Sequence, residues 1–191
     1  MNQATEQPAR VWTIGHSTHS LEAFVALLRA YAIEGIVDVR RFPGSRRYPQ
    51  FGSQILRDAL KAEGIAYLWL EPLGGRRRAQ ADSPNLGWRN AAFRGYADHL
   101  ASGEFARGLE QLLAFAGRQP SALMCAELLW WRCHRVLIAD VLKQRGMEVI
   151  HIQDAAHSTL HPYSVAARLV DGRLCYPAES IPEDRQGDLF G

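Results

Sequence analysis

Apolar residues along the chain alternate between short β-branched runs and stretches spaced three and four apart. Val11 to Gly15 is an apolar run closing on a glycine. After Ser20, a residue suited to cap a helix, Leu21, Phe24, Leu27, Leu28 and Tyr31 recur at helical spacing. Ile36-Val37-Asp38-Val39-Arg40 predicts a second strand, followed by a loop of Pro, Gly, Ser and Arg and a helix from about Ser53 to Glu63. Ile65 to Leu70 predicts a third strand. Beyond a long Gly- and Arg-rich loop, Leu73 to Asn90, come two helical stretches, about Asn90 to Leu100 and Gly103 to Ala116. A strand at Ser121 to Cys125, a helix at Arg132 to Arg145 and a fifth strand at Glu148 to Ile152 follow. Near the end, Arg168-Leu169-Val170 and Arg173-Leu174-Cys175-Tyr176 flank Asp171-Gly172, a strong hairpin signal. This order predicts an α/β fold: a single three-layer domain whose mostly parallel sheet of about five strands carries helices on both faces, plus a small C-terminal hairpin. Crossovers are expected to be right-handed.

Composition fits one such unit. With 191 residues, 47% hydrophobic and 22% charged, the chain has enough apolar content for a sizeable core. The expected division is a disordered tail over 1–10, one domain over 11–176 and a flexible tail over 177–191. No run of 18 apolar residues occurs and Met1 to Arg10 is polar, so neither a membrane span nor a secretory signal is expected, and a cytoplasmic location is. Three cysteines, an odd number, point to free thiols in a reducing compartment rather than a disulfide framework. The net charge of +2 excludes little, but Lys61 and Lys143 are the only lysines among 22 basic residues. The other 20 (22 minus 2) are arginines, whose planar fork suits phosphate and carboxylate. Codon bias alone also yields such a total, so the argument rests on where the arginines cluster.

In open parallel sheets ligands bind at the carboxyl ends of strands. Strand one is followed by Gly15-His16-Ser17, and strand two ends in Asp38-Val39-Arg40 and opens into Arg41-Phe42-Pro43-Gly44-Ser45-Arg46-Arg47. Strand three runs into Leu73-Gly74-Gly75-Arg76-Arg77-Arg78, and strand four into Cys125-Ala126-Glu127 and then Arg132-Cys133-His134-Arg135. Chemically loaded residues thus gather on one sheet edge. Ser17, Arg40, Ser45, Arg46, Arg76, Arg132 and Arg135 are the candidates for holding phosphate or a nucleic-acid backbone, the last two at a helix N-terminus. Trp88, Phe93, Trp130 and Trp131 lie in the same loops, where exposed aromatics suit base stacking, although one of the paired tryptophans fits the core equally well.

His16, Asp38, Glu127 and His134 are candidate acid, base or metal groups, and Cys125 a candidate nucleophile whose thiol pKa the nearby arginines are expected to lower. For Glu127 the plain alternative is a pair with Arg132 or Arg135. Cys125 resembles the thiol of rhodaneses and cysteine phosphatases in logic, but its spacing to Arg132 and the bulky Leu128-Leu129-Trp130-Trp131 depart from their compact anion loops. A metal reading draws on Cys125, Cys133, His134 and perhaps His16. Cys-x7-Cys-His is not a standard zinc spacing, so no metal is assigned and the cofactor is unknown. His151, His157 and His161 follow strand five, where the alternatives are that one joins the site or that all are solvated, and solvation is expected; Cys175 is expected to be structural.

Thr13-Ile14-Gly15-His16-Ser17, Val37-Asp38-Val39-Arg40 with Pro43 and Ser45-Arg46, Leu73-Gly74-Gly75-Arg76, Gly95-Tyr96-Ala97, and Met124-Cys125-Ala126-Glu127 with Arg132-Cys133-His134-Arg135 carry a resemblance over roughly Trp12 to Ile152. In these segments the chain resembles the domain of unknown function 488 family. That resemblance implies site residues rather than a reaction, and some members are labelled as DNA-repair proteins.

The final residues, Gln186-Gly187-Asp188-Leu189-Phe190-Gly191, form a polar segment ending in an apolar pair. With Gln186, Asp188, Leu189 and Phe190 at the specified positions, it resembles the peptide by which bacterial replication and repair proteins hook onto the DNA sliding clamp. Three functions compete. The favoured one is an enzyme acting on nucleic acid or nucleotide phosphates and recruited by the clamp. The others are a thiol enzyme using Cys125 and a noncatalytic adaptor binding DNA and clamp.

Overall fold

A computed structural model describes residues 9–44 and 46–178. The expectations placed on residues 1–8, on Ser45 and on Gln186, Asp188, Leu189 and Phe190 lie outside the described residues. Strands β1 (Arg10–Gly15), β2 (Gly35–Asp38), β3 (Ala66–Trp69), β4 (Ser121–Cys125) and β5 (Glu148–Ile152) are parallel neighbours in the order β3-β2-β4-β1-β5. A sixth strand, β6 (Ser158–Leu160), pairs antiparallel with β5 at the edge. Three residues are too few to show a period, so the sequence gives no sign of it. The predicted hairpin forms as β7 (Arg168–Val170) and β8 (Arg173–Cys175), and Asp171 and Gly172 take the positive φ, 49° and 74°, that a two-residue turn requires.

Helices cover both faces because the strands between them alternate. Ile36, Ala122 and Met124 turn to one side, where Phe24, Leu27 and Leu28 of α1 (Leu21–Ala30) and Leu56 and Leu60 of α2 (Ser53–Ala62) meet them. Val37, Leu123 and Val149 turn to the other, against α3 (Ala91–His99), α4 (Gly103–Ala116) and α5 (Arg135–Gln144). Ser20, Asn90 and Ser102 accept backbone N–H bonds at the first turns of α1, α3 and α4, as N-caps do. No helix among the described residues is long and apolar enough to cross a membrane.

Helix α5 starts later than the sequence predicts. Trp130–Arg132 instead form a 3-10 turn, closed by bonds from Arg132 N to Leu129 O and from Cys133 N to Trp130 O. An extended Cys133 then interrupts the helical path, and its side chain is buried.

The chain order explains where the sheet opens. From β1 the chain crosses through α1, on one face, to β2 beyond β4. From β4 it crosses through α5, on the other face, to β5 beyond β1. Connections therefore diverge from the carboxyl ends of β1 and β4, the place where such sheets leave a crevice.

Candidate functional site

At this crevice the β1–β4 pairing continues past the strands: His16 N bonds Cys125 O at 2.9 Å and Ser17 N bonds Ala126 O at 3.0 Å. Gly15 is required here, because any Cβ would overlap the Glu127 carbonyl. Three adjoining cavities of about 370, 210 and 360 Å3 open above, sharing Arg76 and Ala126. The first is bordered by Cys125, Cys133, His134, Glu127 and Arg132, the second by Arg40, Arg41 and Phe42, and the third by His16, Ser17, Arg40 and Glu127.

Arg76 is the one charged side chain common to all three. Its backbone is left-handed, with φ of 61°, which a residue bearing a Cβ adopts at a cost. Arg41 bonds the Arg76 carbonyl at 3.0 Å and so fixes that turn. Both guanidiniums lie over the ring of Phe42, at 5.6 Å for Arg41 and 5.9 Å for Arg76, and Phe42 is 64% exposed. Neither Arg41 nor Phe42 was expected in the site. An aromatic following two arginines at a strand end was the available signal. Of the neighbouring arginines, Arg77 turns away to Glu104 and the carbonyls of Gly74 and Pro72, pinning the loop.

Several expected residues serve to position others. Asp38 is fully buried and accepts from Arg40 Nε at 2.8 Å, Arg40 Nη2 at 2.5 Å, Arg40 N at 3.1 Å and Tyr67 Oη at 2.7 Å. Its carboxylate is saturated and borders no described cavity, so it aims Arg40 rather than acting as acid or base. Arg135 is likewise buried, donating to the carbonyls of Glu127 and Leu128. It braces the loop after β4 and does not border the cleft, contrary to the expectation of a phosphate ligand at the helix start. Arg46 is exposed and borders none of the described cavities. Arg132, also exposed, does face the first. Glu127 gives its carbonyl, not its carboxylate, to Arg135. The carboxylate accepts from Leu129 N at 3.3 Å and faces two cavities.

His16 stacks on Phe51 with ring centroids 4.2 Å apart. Its Nδ1 donates to the Ser17 carbonyl at 3.1 Å, and Nε2 accepts from Arg40 Nη1 at 3.3 Å. Burial first, and the charge of Arg40 second, push its pKa down to about 4. The imidazole is therefore neutral at pH 7, with its lone pair already engaged.

Two cysteines meet beneath the first cavity. The Cys125 and Cys133 sulfurs and a ring nitrogen of His134 lie within 4.8 Å of one another. His134 Nε2 bonds the Val39 carbonyl at 2.9 Å, so Nε2 carries the hydrogen and Nδ1 faces Cys133 Sγ at 3.5 Å. Contrary to the expectation for Cys125, its thiol is raised, by its hydrogen bond to Cys133 and by burial. Burial would raise Cys133 too, but the bond from Cys125, the neighbouring His134 and the charge of Arg135 outweigh it and hold that thiol well below the ordinary value.

A second polar cluster lies inside the sheet. Thr13 Oγ1 bonds His151 Nδ1 at 2.7 Å, His151 Nε2 bonds His161 Nδ1 at 2.9 Å, and His161 Nε2 bonds Asp140 at 3.0 Å. Asp140 also accepts from Ser164 N, Ser164 Oγ and Tyr176 Oη. Of the histidines expected in solvent, His157 is exposed, but His151 and His161 are buried. Trp130 stacks flat on His151 at 4.0 Å, whereas Trp131 is 47% exposed, which settles which tryptophan packs inward. Phe93 borders the first cavity and stacks on Trp88.

Burial and the neighbouring His161 hold His151 down to about 2. His16 and His151 thus stay neutral in the folded chain while they titrate near 6.5 when unfolded. Between pH 6.5 and about 4 the unfolded chain binds more protons. Stability is therefore expected to be full above pH 6.5 and to fall with acid, by up to about 1.4 kcal/mol per pH unit for each histidine. Urea unfolding at pH 7.5 and 5 checks this, and equal midpoints would contradict it.

Compared with known protein families, residues 20–142 match the model described as Domain of unknown function DUF488. No curated protein and no solved structure matches the chain.

Proposed function

The chain belongs to the DUF488 family, which is defined by sequence rather than by reaction, and we propose that its cleft binds the phosphate of a nucleotide or nucleic acid and processes it. One observation carries this reading. Arg76 is held in a strained left-handed turn, borders all three cavities and lies with Arg41 over the exposed ring of Phe42. A guanidinium fork for phosphate beside a solvent-exposed aromatic ring for a base is the pairing that nucleotide recognition uses. Arg40, aimed by Asp38, and Arg132 add charge to the same cleft. Fluorescence anisotropy with labelled single- and double-stranded oligonucleotides, competed by nucleoside phosphates at two salt concentrations, tests it. Salt-sensitive binding is expected, and binding of neither class would overturn the reading.

Action in DNA repair or replication rests on the sequence motif at Gln186, Asp188, Leu189 and Phe190. A chain lacking Gln186 to Gly191 is expected to lose sliding-clamp binding in size-exclusion chromatography while keeping its nucleotide affinity. A second reading, thiol chemistry at Cys125, is favoured by the place of that residue on two of the three cavities beside Arg76.

A further inference from the structure

We infer that Cys125, Cys133 and His134 form a three-ligand site for a soft divalent metal of the zinc class, with a fourth position opening on the cleft. This goes beyond the nucleotide reading and stands without it. Three observations support it. First, two sulfurs and a nitrogen, the donor set such metals prefer, converge within 4.8 Å although they come from the end of β4 and the turn before α5. Around tetrahedral zinc, with bonds of about 2.0 to 2.3 Å, ligand atoms stand about 3.5 to 3.8 Å apart. The Cys133 Sγ to His134 Nδ1 separation is already 3.5 Å.

Second, the histidine is prepared as a ligand. Its Nε2–H is committed to the Val39 carbonyl at 2.9 Å, which fixes the tautomer and turns the Nδ1 lone pair toward the sulfurs. Metal-bound histidines are held by such outer partners. Gly75 keeps the Nδ1 edge uncrowded, since a Cβ there would stand 2.8 Å from that nitrogen.

Third, the cluster is open on one side. All three residues border the first cavity, beside Glu127 and Arg132. A purely structural zinc site is closed by four protein ligands, whereas three ligands facing a cavity leave room for water or substrate. Two thiolates would also balance the divalent charge amid the surrounding guanidiniums. Cys133, being buried, is better placed to ligate than to attack a substrate.

The test uses the full chain, reduced and stripped of metal, titrated with Co2+ and then Zn2+ without any phosphate ligand. One cobalt per chain, with thiolate-to-cobalt charge-transfer absorption that zinc abolishes, is expected. Cys125→Ser and Cys133→Ser should each weaken binding by more than about a hundredfold, exceeding the loss typical of outer-shell changes. Cys175→Ser should leave it unchanged. Should a variant misfold, alkylation of the unaltered chain decides: zinc is expected to protect Cys125 and Cys133 and not Cys175. Absence of stoichiometric cobalt, cobalt bound without thiolate absorption, or alkylation unaffected by zinc would overturn the inference. Either result leaves the nucleotide reading to its own binding assay.

Discussion

Alanine in place of Asp140 is expected to destabilise the fold by about 3 to 5 kcal/mol, as several buried groups left unsatisfied at about 1 to 3 kcal/mol each would give. Asp140 is fully buried and is the shared acceptor for His161, Ser164 and Tyr176. Without it, Ser164 N, two hydroxyls and an imidazole N–H lose a common partner inside the protein, and each unpaired group retains its desolvation cost. At this chain length the loss corresponds to a fall in Tm of roughly 6 to 20 °C. The damage should reach beyond α5, because Tyr176 ends the hairpin segment and His161 follows the edge strand β6. Calorimetry or urea unfolding measures it. A change within about 1 kcal/mol would mean that water replaces the carboxylate and that the cluster is less sealed than its burial indicates.

The second large effect concerns Arg76, where function and stability are expected to move in opposite directions. Arg76→Ala removes the one guanidinium shared by the three cavities, and loss of a charged hydrogen-bond partner costs about 1.5 to 3 kcal/mol, or roughly 10- to 150-fold in affinity. The salt dependence of oligonucleotide binding should drop by about one phosphate contact. Arg76→Gly should lose the same affinity, yet gain up to about 1 kcal/mol of stability, because glycine relieves the positive φ of 61°. Measured together, affinity and unfolding midpoint separate a binding role from a structural one. Unchanged affinity in both variants would remove Arg76 from the site.

Much of this arrangement could be read along the chain. Strands β4 and β5 have the predicted bounds, and helix α4 does too, because the short apolar runs Ala122 to Cys125 and Val149 to Ile150 and the helical spacing of α4 stand out from their flanks. The edge at which reactive residues gather was also legible, since parallel order alone sends every strand end to one side. What each side chain does there was not. Asp38 and Arg40 are two apart in sequence, and nothing in that spacing says that the carboxylate turns inward to grip the guanidinium. Arg135 and Arg132 look alike in sequence, but the 3-10 turn at Trp130–Arg132 leaves one outside and drives the other under the loop. His151, between Ile150 and Ile152, and His161, between Leu160 and Pro162, have no polar partner beside them in sequence and acquire theirs only when β1, β5 and α5 pack together.

Tyr176 is held by Asp140, its carbonyl accepts from Gly87 N, and Trp88 bridges it to Phe93 at the cavity wall through ring centroids 5.8 and 4.9 Å apart. Tyr176 therefore stands close to the cleft. Residues 179–191 span at most about 45 Å when fully extended. If the proposed clamp binding at Leu189 and Phe190 holds, DNA threaded through the clamp would stay within that reach, turning its encounter with the cleft into an intramolecular search at an effective concentration in the millimolar range.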